Sequence, residues 1–265
     1  MPEVVEEVEL STEVTEEEIE EGVKDEYGVT YSKDGLRLLK GNSELTTYTV
    51  RKGTRVICDE AFKYCNLESI TLPQGVKNIG DDAFHHCDAL KSITLPQGVK
   101  SIGYYAFSSC DNLKSITLPQ GVKSIGNYAF YNCEALTSIT LPQGVENIGH
   151  NPFAYCNNLS SIICCSPYFK VIDKMLLTSD GKRLISYWGK ENIVNVPQKV
   201  ESIGDDAFSN CKALTSITLP QGVESIGNEA FYYCDALTSI RIPKGTLAHF
   251  QRILPSYLHG KFREC

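Results

Sequence analysis

The sequence is poor in features that would assign a function directly. It holds two methionines and one tryptophan among 265 residues, and no apolar run approaches the roughly 18 to 20 residues that a membrane helix requires. The N-terminal stretch MPEVVEEVELST has neither the basic start nor the apolar centre of a secretory signal. We therefore expect a soluble chain with no visible targeting segment.

Motifs for catalysis or metal binding are also lacking. No G-x-x-x-x-G-K-[ST] loop and no G-x-G-x-x-G turn occurs, and the paired C-x-x-C motifs of a structural zinc site are missing. His85, His86 and His150 have no sequence neighbours that complete a metal site. Almost every Ser and Asp recurs at a fixed period, so no catalytic triad can be nominated. We expect no enzyme, no metal and no cofactor.

The charge is concentrated at one end of the chain. Residues 1–26 carry twelve Asp or Glu and one basic residue, whereas the remaining chain holds 21 acidic and 24 basic residues. A nucleic-acid binder would show a clustered basic face, so the sequence argues against that class. Within this acidic arm Thr15 and Glu18 have capping-box spacing. The arm therefore forms either one or two helical turns or no fixed structure.

Repetition is what the sequence has in abundance. The stretch LPQGVKSIGYYAFSSCDNLKSIT, residues 95–117, is followed at once by LPQGVKSIGNYAFYNCEALTSIT, residues 118–140. A fixed period in the twenties predicts a solenoid, in which stacked units share one core that no unit can form alone. The units begin at Leu72, Leu95, Leu118, Leu141, Val196, Leu219 and Ile242, after a degenerate unit at Val50.

Each unit predicts two short extended pieces and a closing turn. Ile93 lies between Ser92 and Thr94, which predicts a strand with its apolar side chain inward. Pro96 ends this strand because it lacks an N–H, and Ile102 belongs to the second extended piece.

The end of the unit is expected to be a short helical turn that carries Ala106, Phe107 and Cys110 inward. Pro152 replaces the alanine in one unit, and proline is tolerated at a first helical position. Gly103, just ahead of the turn, is expected to have a backbone conformation that other residues would find costly.

A longer repeat divides the chain. YSKDGLRLL and LTSDGKRLI lie 146 residues apart, and each indicates a β-hairpin around Asp-Gly. Near the C-terminus apolar residues have helical spacing, although Pro255 should break or kink a helix. The predicted segments are an acidic arm at 1–26, a first hairpin with a cap at 27–49, repeats at 50–163, a second hairpin module at 164–195, repeats at 196–241 and a C-terminal cap at 242–265.

Most cysteines occupy one fixed position of the repeat. Free Cys behaves as a small buried hydrophobe, so these thiols are expected to form a column in the core rather than disulfides or metal ligands. The seven are Cys65, Cys87, Cys110, Cys133, Cys156, Cys211 and Cys234.

Two sets of side chains are candidates for binding a partner. Small hydroxyl residues recur on the outward strand positions, where they either bond a partner or simply keep the strand surface soluble. Tyrosines recur at the closing turns, where they offer apolar area and a hydroxyl to a partner or pack against neighbouring coils. The candidates are Ser92, Thr94, Ser115, Thr117, Ser138, Thr140, Tyr104, Tyr105, Tyr128, Tyr131, Tyr232 and Tyr233.

A column of charge accompanies these positions. Lys77, Lys100 and Lys123 occupy one repeat position, which later units fill with glutamate. The lysines are either an ordinary solvated face or the place onto which the acidic arm folds back.

The units have the form L-P-x-x-V-x-x-I-G-x-x-A-F-x-x-C-x-x-L-x-x-I and resemble the BspA-like class of bacterial leucine-rich repeats. The resemblance implies an α/β solenoid, mostly β: a right-handed, curved superhelix with short strands on the concave face and short helical turns closing each coil. It further implies a non-catalytic bacterial protein, at the cell surface or secreted, that adheres through its solenoid surface to a protein ligand such as a host surface or matrix protein.

Two other functions remain open. An unpaired cysteine column suits a reducing compartment, which favours a cytoplasmic protein-interaction scaffold. The tyrosine edge instead favours a glycan-binding surface protein.

Overall fold

The computed structural model describes residues 9–265, so residues 1–8 of the acidic arm lie outside the described residues. It is a mostly-β solenoid, as the sequence predicts, in which each coil contributes one strand of three or four residues and one of two. We call these the long strands and the short strands. The long and short strands build separate sheets along the stack.

The N-terminal part combines a helix with a small antiparallel sheet. Helix α1 (Glu16–Glu21) begins at Thr15, whose Oγ1 accepts from the Glu18 N–H at 3.1 Å while the Glu18 carboxylate accepts from the Thr15 N–H at 3.0 Å. This is the capping box that the spacing predicts. Three antiparallel strands follow and are joined in the order of the chain: β1 (Val23–Lys24), β2 (Thr30–Tyr31) and β3 (Arg37–Lys40).

The described part of the arm packs on the first coil. Leu10, Val14 and Ile19 contact a small buried cluster. The Glu18 carboxylate lies 2.5 Å from Arg37, whose side chain is only 13% exposed. Residues 9–21 therefore cover apolar side chains of β3 and of the first coil that lie outside the main core.

The first half of the solenoid alternates long and short strands. In this half the even-numbered strands are long and the odd-numbered strands are short. They are β4 (Thr47–Thr49), β5 (Val56–Ile57), β6 (Ser69–Thr71), β7 (Asn78–Ile79), β8 (Ser92–Thr94), β9 (Ser101–Ile102), β10 (Ser115–Thr117), β11 (Ser124–Ile125), β12 (Ser138–Leu141), β13 (Asn147–Ile148) and β14 (Ser161–Cys164).

All pairings between these strands are parallel and shifted by one unit. Ile93 of β8 pairs with Ile116 of β10, and Ile102 of β9 pairs with Ile125 of β11. The short strands join the N-terminal hairpin through β3, in the sheet order β1-β2-β3-β5-β7-β9-β11-β13. Equivalent side chains are thereby stacked into columns.

The second half begins with another antiparallel sheet, β15 (Phe169–Ile172), β16 (Met175–Thr178) and β17 (Arg183–Tyr187). The strands β18 (Ile193–Asn195), β19 (Ser202–Ile203), β20 (Ser216–Thr218), β21 (Ser225–Ile226) and β22 (Ser239–Ile242) follow. Leu184 of β17 pairs with Ile203 of β19, just as Leu38 of β3 pairs with Ile57 of β5. Both hairpins therefore start a stack of short strands in the same register.

The C-terminal residues cover the last coil in part. Helix α2 (Leu247–Ile253) ends two residues before Pro255, in agreement with the sequence, and a 3-10 helix (Ser256–Lys261) and strand β23 (Phe262–Glu264) follow. The buried side chains Phe250, Leu254 and Leu258 attach this segment to the second core.

The closing segments differ from the short helical turns that the sequence predicts. The segment 103–110 is three successive turns, each closed by a backbone hydrogen bond: Ala106 N to Gly103 O, Ser108 N to Tyr105 O, and Cys110 N to Phe107 O. Tyr105 and Ser109 have φ angles of 49° and 55°, in the left-handed region that a right-handed helix never uses.

Hydrogen bonds to the next coil hold this backbone in place. From segment 103–110 the bonds run from Tyr105 N to Asn127 O at 3.0 Å, from Phe107 N to Ala129 O at 2.8 Å and from Ser109 N to Tyr131 O at 2.7 Å. We call these three bonds between successive coils the closing-segment ladder. They offset the cost, about 1 kcal/mol or more, of each left-handed residue that is not glycine.

Two expectations about single residues need correction. Pro152 does not start a helix; it replaces an alanine whose N–H makes no bond between coils, and its carbonyl still accepts from the Phe130 N–H at 2.9 Å. Gly103 is not left-handed, because its φ is negative. A Cβ there would lie 2.5 Å from the carbonyl carbon of Gly80, so close approach of two coils requires the glycine.

The core is built on stacked phenylalanines. Neighbouring rings in the first half lie 5.1–5.8 Å apart and within 8° of parallel: Phe62, Phe84, Phe107, Phe130 and Phe153. Phe208 and Phe231 repeat the contact at 5.4 Å in the second half. The buried apolar residues form two large clusters, and the first extends into the second half through side chains of β15, β16 and β17.

Candidate functional site

The hydroxyl residues of the long strands form a continuous exposed face in the first half. All six predicted positions on β8, β10 and β12 are exposed, whereas the isoleucines between them are buried. Ser92 lies beside Ser115 and Thr94 beside Thr117 in the paired strands. We call the six residues Ser92, Thr94, Ser115, Thr117, Ser138 and Thr140 the hydroxyl face.

None of the six hydroxyls bonds another group within residues 9–265. Hydroxyls just outside the strands differ, since Ser160 Oγ donates to the Thr137 carbonyl at 2.9 Å. In the second half the face is interrupted, because Ser216 is buried and Thr218 is half-buried. The free donors and acceptors are therefore concentrated on the first half.

The tyrosines of the closing segments pack against neighbouring coils, which is one of the two alternatives that the sequence offers. Rings from successive coils pack together: Tyr105 stacks on Tyr128 with 5.1 Å between centroids, and Tyr131 lies 4.9 Å from Tyr155. Burial raises the pKa of Tyr131 to about 12. Tyr104 is 37% exposed, but Tyr105, Tyr128 and Tyr131 are half-buried.

The last two candidate tyrosines are the most exposed of the six. Tyr232 and Tyr233 are 42% and 50% exposed, and their rings lie 4.1 Å apart. They line a cavity of about 700 Å³ between the last closing segment and the C-terminal residues, together with Tyr257 and Lys261. Tyr155 of the first half interacts electrostatically with both rings, so these two tyrosines lie near those of the first half across the junction.

The lysine column lies close to the arm at one end. Glu9 and Leu10 line a cavity of about 220 Å³ together with Lys77 and Lys100. Lys123 is further along the column, where it pairs with Glu146. The folding back of the arm onto the lysines remains a prediction for residues 1–8.

Comparison with known proteins identifies the repeat. The family model for the BspA type leucine rich repeat region matches in six copies, over residues 55–179 and 187–253. The chain belongs to this family. No curated protein matches the chain at a significant level.

Solved structures of bacterial proteins are similar to this chain in fold. The pneumococcal vaccine antigen PcpA is 21% identical with a TM-score of 0.67, over 82% of this chain and 66% of that one. A leucine-rich repeat protein from Eubacterium ventriosum is 25% identical with a TM-score of 0.59, over 75% and 60%. A leucine rich cell surface protein from Faecalibacterium prausnitzii is 27% identical with a TM-score of 0.58, over 83% and 76%. The chain thus spans under two thirds of the first two proteins.

The cysteine column of these BspA-type units is buried, as the sequence predicts. The structure adds a role that the spacing did not reveal, because most of the thiols contact a phenylalanine carbonyl of the preceding coil. Cys110 Sγ lies 3.1 Å from the Phe84 carbonyl oxygen, and Cys133 Sγ lies 3.1 Å from that of Phe107. Burial raises the pKa of Cys65 to about 11, so this thiol is not a nucleophile at neutral pH.

Residues 9–265 contain no group of three or more metal-ligating side chains placed to hold an ion. Over the same residues no helix is long and apolar enough to cross a membrane. The hydroxyl face and the tyrosines thus remain the candidate sites of this BspA-type protein.

Proposed function

We propose that the chain is a non-catalytic binding module, at the surface of a bacterial cell or secreted, that adheres to a protein ligand through its hydroxyl face. The observation that supports this is the set of six exposed hydroxyls with no partner in the described chain. A protein ligand can supply donors and acceptors to such a face in exchange for bound water, without breaking a hydrogen bond within the described chain.

Family membership supports the same proposal. Stacked repeats create long exposed surfaces, which solenoid proteins use for binding. The cell surface description of the Faecalibacterium prausnitzii relative, which is 27% identical, supports an exposed location. Tyr104 gives an aromatic contact at the neighbouring edge, while Tyr105, Tyr128 and Tyr131 contribute less because much of their surface packs between coils.

The location is tested by treating intact producing cells with protease. Cleavage before lysis is expected. Protection until lysis would contradict the surface proposal and would favour a cytoplasmic scaffold.

The binding face is tested with immobilised fibronectin, laminin and collagen, and with a glycan array. The variant Thr94→Arg/Thr117→Arg places two large cations on the hydroxyl face and is expected to weaken binding about tenfold, which corresponds to about 1.4 kcal/mol. Gln97→Arg/Gln143→Arg adds the same charge at exposed turns of the same half and should leave binding unchanged. Equal effects of the two variants, or binding to glycans alone, would contradict the proposal.

A further inference from the structure

The last coil has an open backbone edge. In the second half the closing-segment ladder runs from Asp206 N to Asn228 O, Phe208 N to Ala230 O and Asn210 N to Tyr232 O, at 2.8–2.9 Å. One unit further along the chain these donor positions are Glu229, Phe231 and Tyr233. The N–H groups of these three residues donate to no acceptor in the described chain.

The direction of these N–H groups follows from the repeat. In the preceding coil the same positions point at the next closing segment, and Glu229 and Tyr233 keep the left-handed φ angles, both 53°, of that backbone. Where a further closing segment would lie there is instead the cavity of about 700 Å³ lined by Ile253, Pro255, Tyr257 and Lys261. We call this cavity the terminal groove.

We propose that the terminal groove binds an extended segment of another protein by main-chain hydrogen bonding. The ladder acceptors in the second half are alternate residues, 228, 230 and 232. In an extended chain the carbonyls of alternate residues point to one side, so such a segment offers acceptors at the required period. Adding a strand to an open edge is an established mode of peptide recognition.

Side chains around the groove specify the chemistry of the segment. Tyr232, Tyr233 and Tyr257 are 42%, 50% and 61% exposed and offer aromatic faces to its side chains. Glu229 and Asp235 are exposed carboxylates of the same groove. They favour a segment with Lys or Arg, since a cation contacts both carboxylate and aromatic faces favourably.

A second copy of the chain does not fit this edge. Two copies related by a twofold axis would set N–H groups against N–H groups. A head-to-tail arrangement would need free carbonyls on the first closing segment, where the Ala61 carbonyl already accepts from the Gly41 N–H at 2.6 Å. The arm also reaches this segment, because the Asp59 N–H donates to the Thr12 carbonyl at 2.9 Å. These observations argue against a second copy and favour a segment of a different protein as the occupant.

The test uses the full chain and a phage-displayed library of linear 12-residue peptides. We expect enriched sequences to contain a basic residue. The bound peptide should slow amide hydrogen exchange at Glu229, Phe231 and Tyr233 by at least about tenfold, because an amide that gains an acceptor is protected. An ester in place of the amide whose carbonyl accepts from one of these N–H groups should weaken binding a few-fold, because an ester carbonyl is a weaker hydrogen-bond acceptor than an amide carbonyl.

Matched variants complete the experiment. Tyr232→Ala/Tyr233→Ala should reduce peptide affinity about tenfold or more without unfolding the chain, since both side chains are exposed. Tyr168→Ala removes an equally exposed tyrosine elsewhere and should have no effect. No enrichment, or exchange unchanged at the three amides, would overturn the proposal. Protection that instead rises with protein concentration would show that a second copy covers the edge.

Discussion

The closing-segment ladder stops at two places, the junction between the two halves and the last coil, and the structure around these two places differs. At the junction between the halves, the N–H groups of Asn151, Phe153 and Tyr155 make no ladder bonds within residues 9–265, and the same is true of the last coil. At the junction, side chains bridge the gap. At the C-terminal end, no side-chain hydrogen bond within residues 9–265 joins the last closing segment to the C-terminal residues, and the terminal groove lies between them.

The bridge at the junction consists of buried and partly buried polar contacts. Asn151 Nδ2 donates to the Asp206 carbonyl at 2.6 Å and Tyr128 Oη donates to the Asp206 carboxylate at 2.5 Å. Ser186 Oγ in turn donates to Asn151 Oδ1. The comparison indicates that an interrupted ladder is closed by specific side chains where the solenoid must continue. Where it ends, the same backbone is left available.

The largest expected effect on stability distinguishes the continuous stack of coils from the junction between the halves. Gly103→Ala would place a Cβ 2.5–2.6 Å from backbone atoms of the preceding coil, whereas at the equivalent Gly204 the nearest atom is 3.2 Å away. We expect Gly103→Ala to lower the free energy of unfolding by about 3 kcal/mol and Gly204→Ala by less than about 1 kcal/mol. Urea unfolding of both variants measures the difference. Equal losses would mean that the junction is packed as tightly as the stack.

Some parts of the fold can be predicted from the sequence and others cannot. The Ser92-Ile93-Thr94 alternation predicts the strand and its buried side, and Pro255 predicts the end of α2, because both depend on local chemistry. The residue type of Tyr105 does not indicate its left-handed backbone, which bonds to the next coil stabilise, but Asn151 and Asp206 at the same position of other units are types that favour this conformation. The turn at Asp173 and Lys174 also has positive φ angles, 47° and 59°, without a glycine, and it joins the paired strands β15 and β16.

The candidate site was predictable only in part. The hydroxyl face follows from strand alternation, so its exposure is a local property. The exposure of the tyrosines, in contrast, is not a local property. Tyr131 and Tyr232 occupy the same repeat position, but only Tyr131 is covered by a ring from the next coil, that of Tyr155. The sequence of a single repeat unit does not show what covers its tyrosines, because this depends on the tertiary structure.

A smaller effect is expected when the bridge at the junction is cut. Asn151 is 1% exposed, and Asn151→Ala leaves the Asp206 carbonyl and the Ser186 hydroxyl without their partner. We expect a loss of about 2 kcal/mol, because buried polar groups without partners cost about 1–3 kcal/mol. Since repeat proteins are stabilised through nearest-neighbour contacts, the two halves should then unfold in separate transitions.

The control for this variant lies at the surface of the same junction. Asn157→Ala removes a contact of 3.2 Å with Asn210 between exposed groups and should cost less than about 0.5 kcal/mol. A single transition with unchanged stability in Asn151→Ala would show that apolar packing alone joins the halves.

The smallest effect concerns the acid dependence of the second hairpin module. Tyr187 Oη donates to Glu191 at 2.6 Å and Lys174 lies 2.9 Å from the same carboxylate. The Tyr187 hydrogen bond and that of Lys174 lower the pKa of Glu191 from 4.5 to about 2. Because the pKa is lower in the folded state, the stabilisation is present above pH 4.5 and is lost as the pH falls toward 2.

Glu191→Gln should therefore lose stability at neutral pH and show a shallower decline between pH 4.5 and 2. The group is largely exposed, so screening limits the contribution to about 1 kcal/mol. Glu134→Gln, an exposed carboxylate without an ion pair in the described chain, should decline as the parent does. Unfolding midpoints in urea across this pH range measure both. If Glu191→Gln declined as steeply as the parent, the contacts of Glu191 with Tyr187 and Lys174 would contribute nothing to stability. The bridge through Asn151 would then be the feature that distinguishes the junction from the open C-terminal end.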